Sequence, residues 1–376
     1  MFALTLYLAG KGARQCIILG NKRGADVILI CASIVFTLMC GFRYSVGVDC
    51  ESYAMIYEKF RSGISQDFIF ARNRNEVEQG YVLISRFFAA INAPVFIYMG
   101  FLAFAEYFFF FKTFKDRSFL LPYLGLILIL GPFFLSWMNG MRQTIASCIF
   151  VFAIHLLVDK KMWIWYLLLI GLAVSMHKSA LILLPFIFLV FYNHQPNKTV
   201  SICILAVCFF LGRFPAFMLS SSAGGLQYLE DLLSVLDYSY YAENVETIAD
   251  EAVNIKFGIR SIISVLSCLI VVIYSDNLFR SFRNDKFFKV SYLLFLVYFC
   301  LSFLTFSLSH IFKRPLLYLM PFVLICQAYS LFHMRHRKNF ILLLISIIVF
   351  CSYTVLSNVL DTRVAGETTL FKFMIR

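Results

Sequence analysis

Asn139, Arg142 and Gln143 stand at i, i+3 and i+4, the spacing that aligns side chains on one face of a helix. They fall between two apolar runs, 119–137 and 145–158. Each run is long enough, or nearly so, for the ~17–25 helical residues that cross a ~30 Å hydrocarbon core. An Arg near that core costs roughly 2.5–3.5 kcal/mol even on the most lenient insertion scale. A cation flanked by two amides at a membrane surface is suited to holding a polar group. Guanidinium in particular binds phosphate through two parallel hydrogen bonds.

Other residues of the same chemistry recur along the chain. His177-Lys178 joins two apolar segments, and Lys313-Arg314-Pro315 opens another, with Tyr318 one turn beyond Arg314. Arg43 and Asp49 open a polar stretch, and Glu78-Gln79-Gly80-Tyr81 closes it. Each cation alone has an ordinary explanation, because Lys and Arg at a membrane surface extend their charge toward headgroups. His177 alone reads equally well as a packed histidine. Beside cations its pKa is expected to move downward, which would keep it neutral and able to accept a proton. Asp49, Glu51, Glu76 and Glu78 supply carboxylates.

The elements that carry these residues are membrane helices. The chain has 376 residues, 61% hydrophobic and 14% charged, whereas soluble domains are near half apolar and a quarter charged. We therefore expect an all-α polytopic membrane protein, a single domain over 1–376, with about 11 transmembrane helices (10–12). Expected spans are about 25–42, 94–113, 119–137, 139–158, 162–176, 178–193, 199–219, 257–275, 288–308, 311–332 and 339–359. Gly131-Pro132 predicts a kink. The 162–193 pair is short and reads as a membrane-level hairpin or one bent segment. Residues 80–92 read as a re-entrant or interfacial helix, and 1–24 as a segment lying along the interface. Two larger loops, about 43–79 and 220–256, are polar. The second carries seven acids and Tyr228, Tyr238, Tyr240 and Tyr241.

Charge gives an orientation. With the N-terminus cytoplasmic, the cytoplasmic segments hold 17 Lys and Arg against four acids. The C-terminus is then non-cytoplasmic. Arg43, Asp49, 139–143, His177-Lys178 and Lys313-Arg314 collect on the non-cytoplasmic side, where basic residues run against the rule. That coincidence points to one shared anion-binding site. The net charge of +12 needs no nucleic acid, since basic loops account for it. No Gly-rich phosphate loop ending in Lys-Ser/Thr appears, nor a His-Glu-x-x-His or close Cys/His cluster. Neither a metal nor a cofactor is expected.

In order along the chain, Arg43-Tyr44-x-Val46-Gly47-Val48-Asp49 with Tyr53, Glu78-x-Gly80-Tyr81, Asn139-x-x-Arg142-Gln143-x-x-Ala146, His177-x-Ser179-Ala180-Leu181, and Arg314 with Tyr318 resemble the EpsG-type exopolysaccharide polymerases, the Wzy-like polymerases of O-antigen and capsule repeat units. The resemblance covers about residues 40–320. It implies a bacterial inner-membrane glycosyltransferase whose donor and acceptor are oligosaccharides on undecaprenyl diphosphate, already flipped to the outer leaflet. A chain-length regulator and a flippase of the same pathway are implied as partners, beside the membrane lipids. Arg142 and Arg314, assisted by Lys178 or Lys313, would hold the diphosphate. His177 or Asp49 would activate the acceptor hydroxyl. Arg43, Glu78, Tyr81, Asn139, Gln143 and Tyr318 would bind sugar or phosphate. A flippase or transporter of lipid-linked oligosaccharide, or an O-antigen ligase, remains an alternative.

Overall fold

The computed structural model describes residues 2–44, 49–65, 69, 78–131, 133–212, 259–306, 313–335, 344 and 372–373. The expected loop 220–256, the expected span 339–359 (apart from Leu344), Glu76 and Pro132 lie outside the described residues. In chain order the helices are α1 (Phe2–Ile18), α2 (Lys22–Gly41), α3 (Cys50–Arg61), α4 (Gln79–Ala90), α5 (Val95–Lys112), α6 (Leu121–Leu130), α7 (Phe133–Asn139), α8 (Met141–Lys160), α9 (Trp163–Met176), α10 (Lys198–Leu211), α11 (Ile259–Ile273), α12 (Ser275–Ser281), α13 (Lys286–Leu304) and α14 (Met320–Met334). Three 3₁₀ segments, Lys115–Leu120, Lys178–Phe191 and Arg314–Tyr318, connect them. Arg43–Tyr44 pairs antiparallel with Lys372–Phe373.

Helices α2, α5, α8 and α13 are each long and apolar enough to cross a membrane, and α9, Lys178–Phe191, α10 and α14 are shorter apolar segments. The chain is a multi-pass membrane protein. Helix α8 is its axis: 83% of its membrane-length window is buried, against 39–50% in the other three. Large apolar side chains such as Ile30, Ile34, Trp163, Trp165 and Phe188 face outward, as lipid contact requires.

Three expectations on the spans change. The run 119–137 is not one helix: α6 stops at Leu130, Gly131 is extended (φ −89°, ψ 175°), and α7 resumes at Phe133. A Cβ at Gly131 would meet the Ile127 carbonyl oxygen at 2.6 Å and the Phe133 ring at 2.7 Å, so only Gly fits this break. Residues 311–332 also divide, into the Arg314–Tyr318 turn and α14, with a proline in the first turn of each. Proline is tolerated there because those N–H groups have no intrahelical partner.

The third change concerns the N-terminus. Residues 2–18 do not lie apart on the interface but form a bundle helix. Leu6 meets Gly125, and Gly10 meets Leu121 and Pro122 so closely that a Cβ there would come within 2.6–2.8 Å of their backbone. Small residues that bring backbones together are the usual means of helix association in lipid. These pairings make α1 antiparallel to α6. The tight turn at 19–21 folds it back along α2, with Gly12 opposite Ile28. Phe2 thus points away from the basic turn at Lys22-Arg23, toward the end of the bundle where α2 finishes.

The pair 162–193 is a hairpin, its arms tied by the Tyr166 hydroxyl donating to the Leu183 carbonyl at 2.6 Å. Its second arm is a 14-residue 3₁₀ helix with Pro185 inside. At ~2.0 Å per residue such a helix reaches ~28 Å, against ~21 Å for an α-helix of equal length. The short arm is therefore nearly long enough to cross.

Candidate functional site

The site forms where five chain segments end at one level of the bundle. The first turn of α8 supplies Arg142. The start of α4 supplies Glu78, and the start of α3 supplies Asp49. The α9 junction supplies His177, Lys178 and Ser179, and the turn before α14 supplies Arg314 and Tyr318.

Glu78 is the centre. It caps α4 in an extended conformation (ψ 135°) and is buried. Its Oε2 accepts from Arg142 Nη1 at 2.6 Å, and its Oε1 accepts from the backbone N–H of Lys178 at 3.0 Å. His177 Nδ1 lies 4.0 Å from the same Oε1. Gly80 explains how the carboxylate gets there. A Cβ at Gly80 would sit 2.5 Å from the Ser175 hydroxyl and 2.7 Å from its carbonyl oxygen, so glycine lets the start of α4 touch the end of α9.

Arg142 is held from three sides. Besides the Glu78 pair, its guanidinium lies over the Tyr81 ring at 5.1 Å, and its backbone N–H donates to the Tyr53 hydroxyl at 3.4 Å. The Tyr53 and Tyr81 rings meet edge to face at 5.9 Å. Cation–π contact with a buried tyrosine fixes the guanidinium plane while part of it stays open: the side chain is 30% exposed.

Asn139 and Gln143 do not share a helical face with Arg142. Asn139 ends α7, and Gly140 breaks the chain before α8 begins. The Asn139 Oδ1 accepts the backbone N–H of Asp49 at 2.9 Å, which fixes the start of α3. Helix α3 is anchored further on by the Tyr57 hydroxyl donating to the Ala93 carbonyl and by Tyr57 stacking on Tyr98 at 4.2 Å. Gln143 Nε2 donates to the Arg314 carbonyl at 2.7 Å. One turn on, the Ser147 hydroxyl donates to the carbonyls of Leu317 and Tyr318 at 3.0 and 3.3 Å. Gln143 and Ser147 together dock the 314–318 turn against α8.

Asp49 is half-buried, and burial raises its carboxyl above the usual range even though Arg142 and Arg314 both act to lower it. That opposition identifies Asp49, Arg142 and Arg314 as electrostatic neighbours. His177 moves the other way. Burial first, then Arg142 and Arg314, lower it to about 4 against the opposing pull of Glu78. Its Nδ1 lies 2.9 Å from the Ser179 hydroxyl and 3.3 Å from the Tyr318 hydroxyl, and those two hydroxyls are 2.8 Å apart. His177 is thus neutral at physiological pH, with Nδ1 engaged.

The remaining expected residues sit differently. Arg43 is fully buried beneath the site, its Nη2 directed at Met141 Sδ at 3.0 Å. Lys178 contributes its backbone N–H, and its side chain is exposed. Lys313 turns toward the Phe306 carbonyl at 3.1 Å. Among the described residues no group of three or more His, Cys, Asp and Glu could hold a metal ion. Ser147 and Ser179 were not singled out from the sequence. Ser147 at i+4 from Gln143 was the available signal, and Ser179 lay inside a quoted motif without an assigned role.

Searches of curated proteins and of solved structures find no match to this chain. Residues 26–372, nearly the whole sequence and all the segments that build the site, match the EpsG family. The chain belongs to the EpsG family.

Proposed function

We propose that this protein polymerises oligosaccharide repeat units carried on undecaprenyl diphosphate, by glycosyl transfer at the outer leaflet of the bacterial inner membrane. Family membership supports an exopolysaccharide polymerase role. The observation that carries the chemistry is the Glu78–Arg142 pair, its carboxylate buried and its guanidinium partly open, set beside Arg314, Asp49 and His177 at one end of the bundle.

The charge bias assigns the turns at Lys22-Arg23, 112–118, 159–161 and 276–289 to the cytoplasm. The site lies at the opposite end. Arg142 and Arg314 bind the donor's diphosphate and stabilise it as charge develops on leaving. The acceptor hydroxyl oxygen bonds to the donor's anomeric carbon, the bond from that carbon to the diphosphate oxygen breaks, and the hydroxyl proton passes to a base. Asp49 suits that role best: its carboxyl is half-buried with a raised pKa, and a base works best when its pKa approaches the operating pH. His177, with Nδ1 held by Ser179 and Tyr318, offers Nε2 to a sugar hydroxyl.

Reconstitution with a lipid-diphosphate-linked repeat unit, analysed as a ladder on a gel, tests this reading. A ladder lost in both Arg142→Ala and Arg314→Ala is expected. Transfer onto a lipid A core in place of a ladder would make the protein a ligase. Retention of the ladder in both variants would remove the proposed diphosphate site.

A further inference from the structure

A second charged pocket lies at the far end of the bundle from Arg142. Its floor is Arg117, buried at the α5–α6 corner. Arg117 grips two carboxylates at once: Nε and Nη2 reach Asp285 at 3.0 and 2.6 Å, and Nη1 and Nη2 reach Asp159 at 2.8 and 3.1 Å. His155 Nδ1 at 2.7 Å completes Asp159, and the Tyr329 hydroxyl at 2.7 Å completes Asp285. Every oxygen of these two acids is therefore engaged within the floor.

Above the floor opens a cavity of about 810 Å³. Lys161, Arg280, Arg283 and Lys286 line it, and all four are exposed. Lys160 is paired with Asp116 at 3.3 Å. The side chains of the other four have no hydrogen bond or ion pair among the described residues, and the floor acids are not available to them. Four cations without a side-chain partner among the described residues, one from the end of α8 and three from 280–286, thus converge on one concavity, which concentrates positive potential. Phe119, Val158 and Phe282 give it an apolar side.

Lys161 ends α8 in the left-handed region (φ 54°, ψ 32°), where glycine is the favoured residue. The chain thus carries a cation, in place of the glycine that favours such a helix stop, at the rim of the cavity.

We propose that this pocket binds phosphate groups, with the headgroup of an anionic phospholipid of the cytoplasmic leaflet as their source. Basic pockets between membrane helices on that side suit diphosphate-bearing headgroups, with the apolar side against the glycerol and acyl chains. The inference shares the orientation given above with the proposed function but not the polymerase chemistry, so loss of lipid binding and loss of the ladder are read separately.

The test uses the full chain purified in detergent and measured by native mass spectrometry. The probes are cardiolipin, phosphatidylethanolamine and inorganic pyrophosphate. The variant is Lys161→Gly/Arg280→Gln/Arg283→Gln. Lys161→Gly relaxes the backbone while removing the charge, so its melting temperature should not fall. We expect saturable cardiolipin retention that weakens with salt, little phosphatidylethanolamine retention, and at least tenfold weaker cardiolipin binding in the triple variant. Equal cardiolipin binding by wild type and triple variant would overturn the site. Pyrophosphate binding lost in the variant without cardiolipin retention would overturn the lipid source. The gel ladder from the triple variant should be unchanged, since none of its residues belongs to the outer site.

Discussion

Replacing Glu78 with Gln tests the centre of the proposed site. The substitution keeps the size of the side chain and an acceptor for the Lys178 N–H, but it removes the charge facing Arg142 and turns an amide toward the guanidinium. Deleting one partner of a fully buried ion pair costs ~3–5 kcal/mol. Here the carboxylate is 5% exposed and the guanidinium 30%, so water recovers part of that cost. We expect a stability loss of ~2 kcal/mol, between the buried and surface regimes. The effect on rate should be larger. A preorganised donor at a developing charge is worth ~10²–10³ in rate. Arg142 would remain but lose its tether, so the lower end applies: a fall of ~10²-fold, equivalent to ~2.7 kcal/mol of barrier. The assay is the reconstituted ladder, timed at saturating repeat unit, with melting temperature measured in parallel. A Glu78→Gln enzyme that melts lower but polymerises at the wild-type rate would refute the reasoning, because Arg142 would then need no partner.

Gly80→Val should push α4 off α9, since the new Cβ would lie 2.5–2.7 Å from Ser175; we expect ~1–3 kcal/mol of destabilisation and a weakened ladder, measured on the same preparations. The pH profile of ladder formation should fall on the acid side as Asp49, whose pKa is raised, takes up its proton. It should show no limb near the ordinary histidine pKa of ~6.5, because burial holds the His177 pKa down to about 4; a limb near 6.5 that disappears in His177→Gln would contradict this. The lowered His177 pKa also makes its unfolded state bind more protons between 4 and 6.5, so its linkage to stability is level above 6.5 and turns unfavourable as pH falls through that window. Asp285→Asn should cost ~1–3 kcal/mol, because Arg117, only 10% exposed, would lose the charge of one of its two carboxylates while keeping Asp159; unchanged thermal unfolding would show that Asp159 alone suffices.

Apolar runs read in order placed α2, α5, α8 and α13 closely, because lipid demands a continuous apolar helix of fixed length and such a run is local information. The breaks were partly legible for the same reason: Gly131-Pro132 marked the end of α6. Residues 2–18 were not read as a bundle helix, because their Lys11 and Arg14 lower the apparent hydropathy, while what seats the helix is the close fit of Gly10 and Gly125 against neighbours more than a hundred positions away in sequence. At the site, residue types pointed to a cationic, outward-facing cluster, and ordered motifs pointed to the family. Partnership is tertiary. Periodicity put Asn139, Arg142 and Gln143 on one face, but a break at Gly140 sends Asn139 to Asp49, and Arg142 and Gln143, adjacent on α8 and so pointing apart, reach Glu78 and Arg314 separately. Which carboxylate is committed to Arg142 and which is not depends on burial and on hydrogen bonds from distant segments. Those are set only when α3, α4, α8, α9 and the 314–318 turn meet.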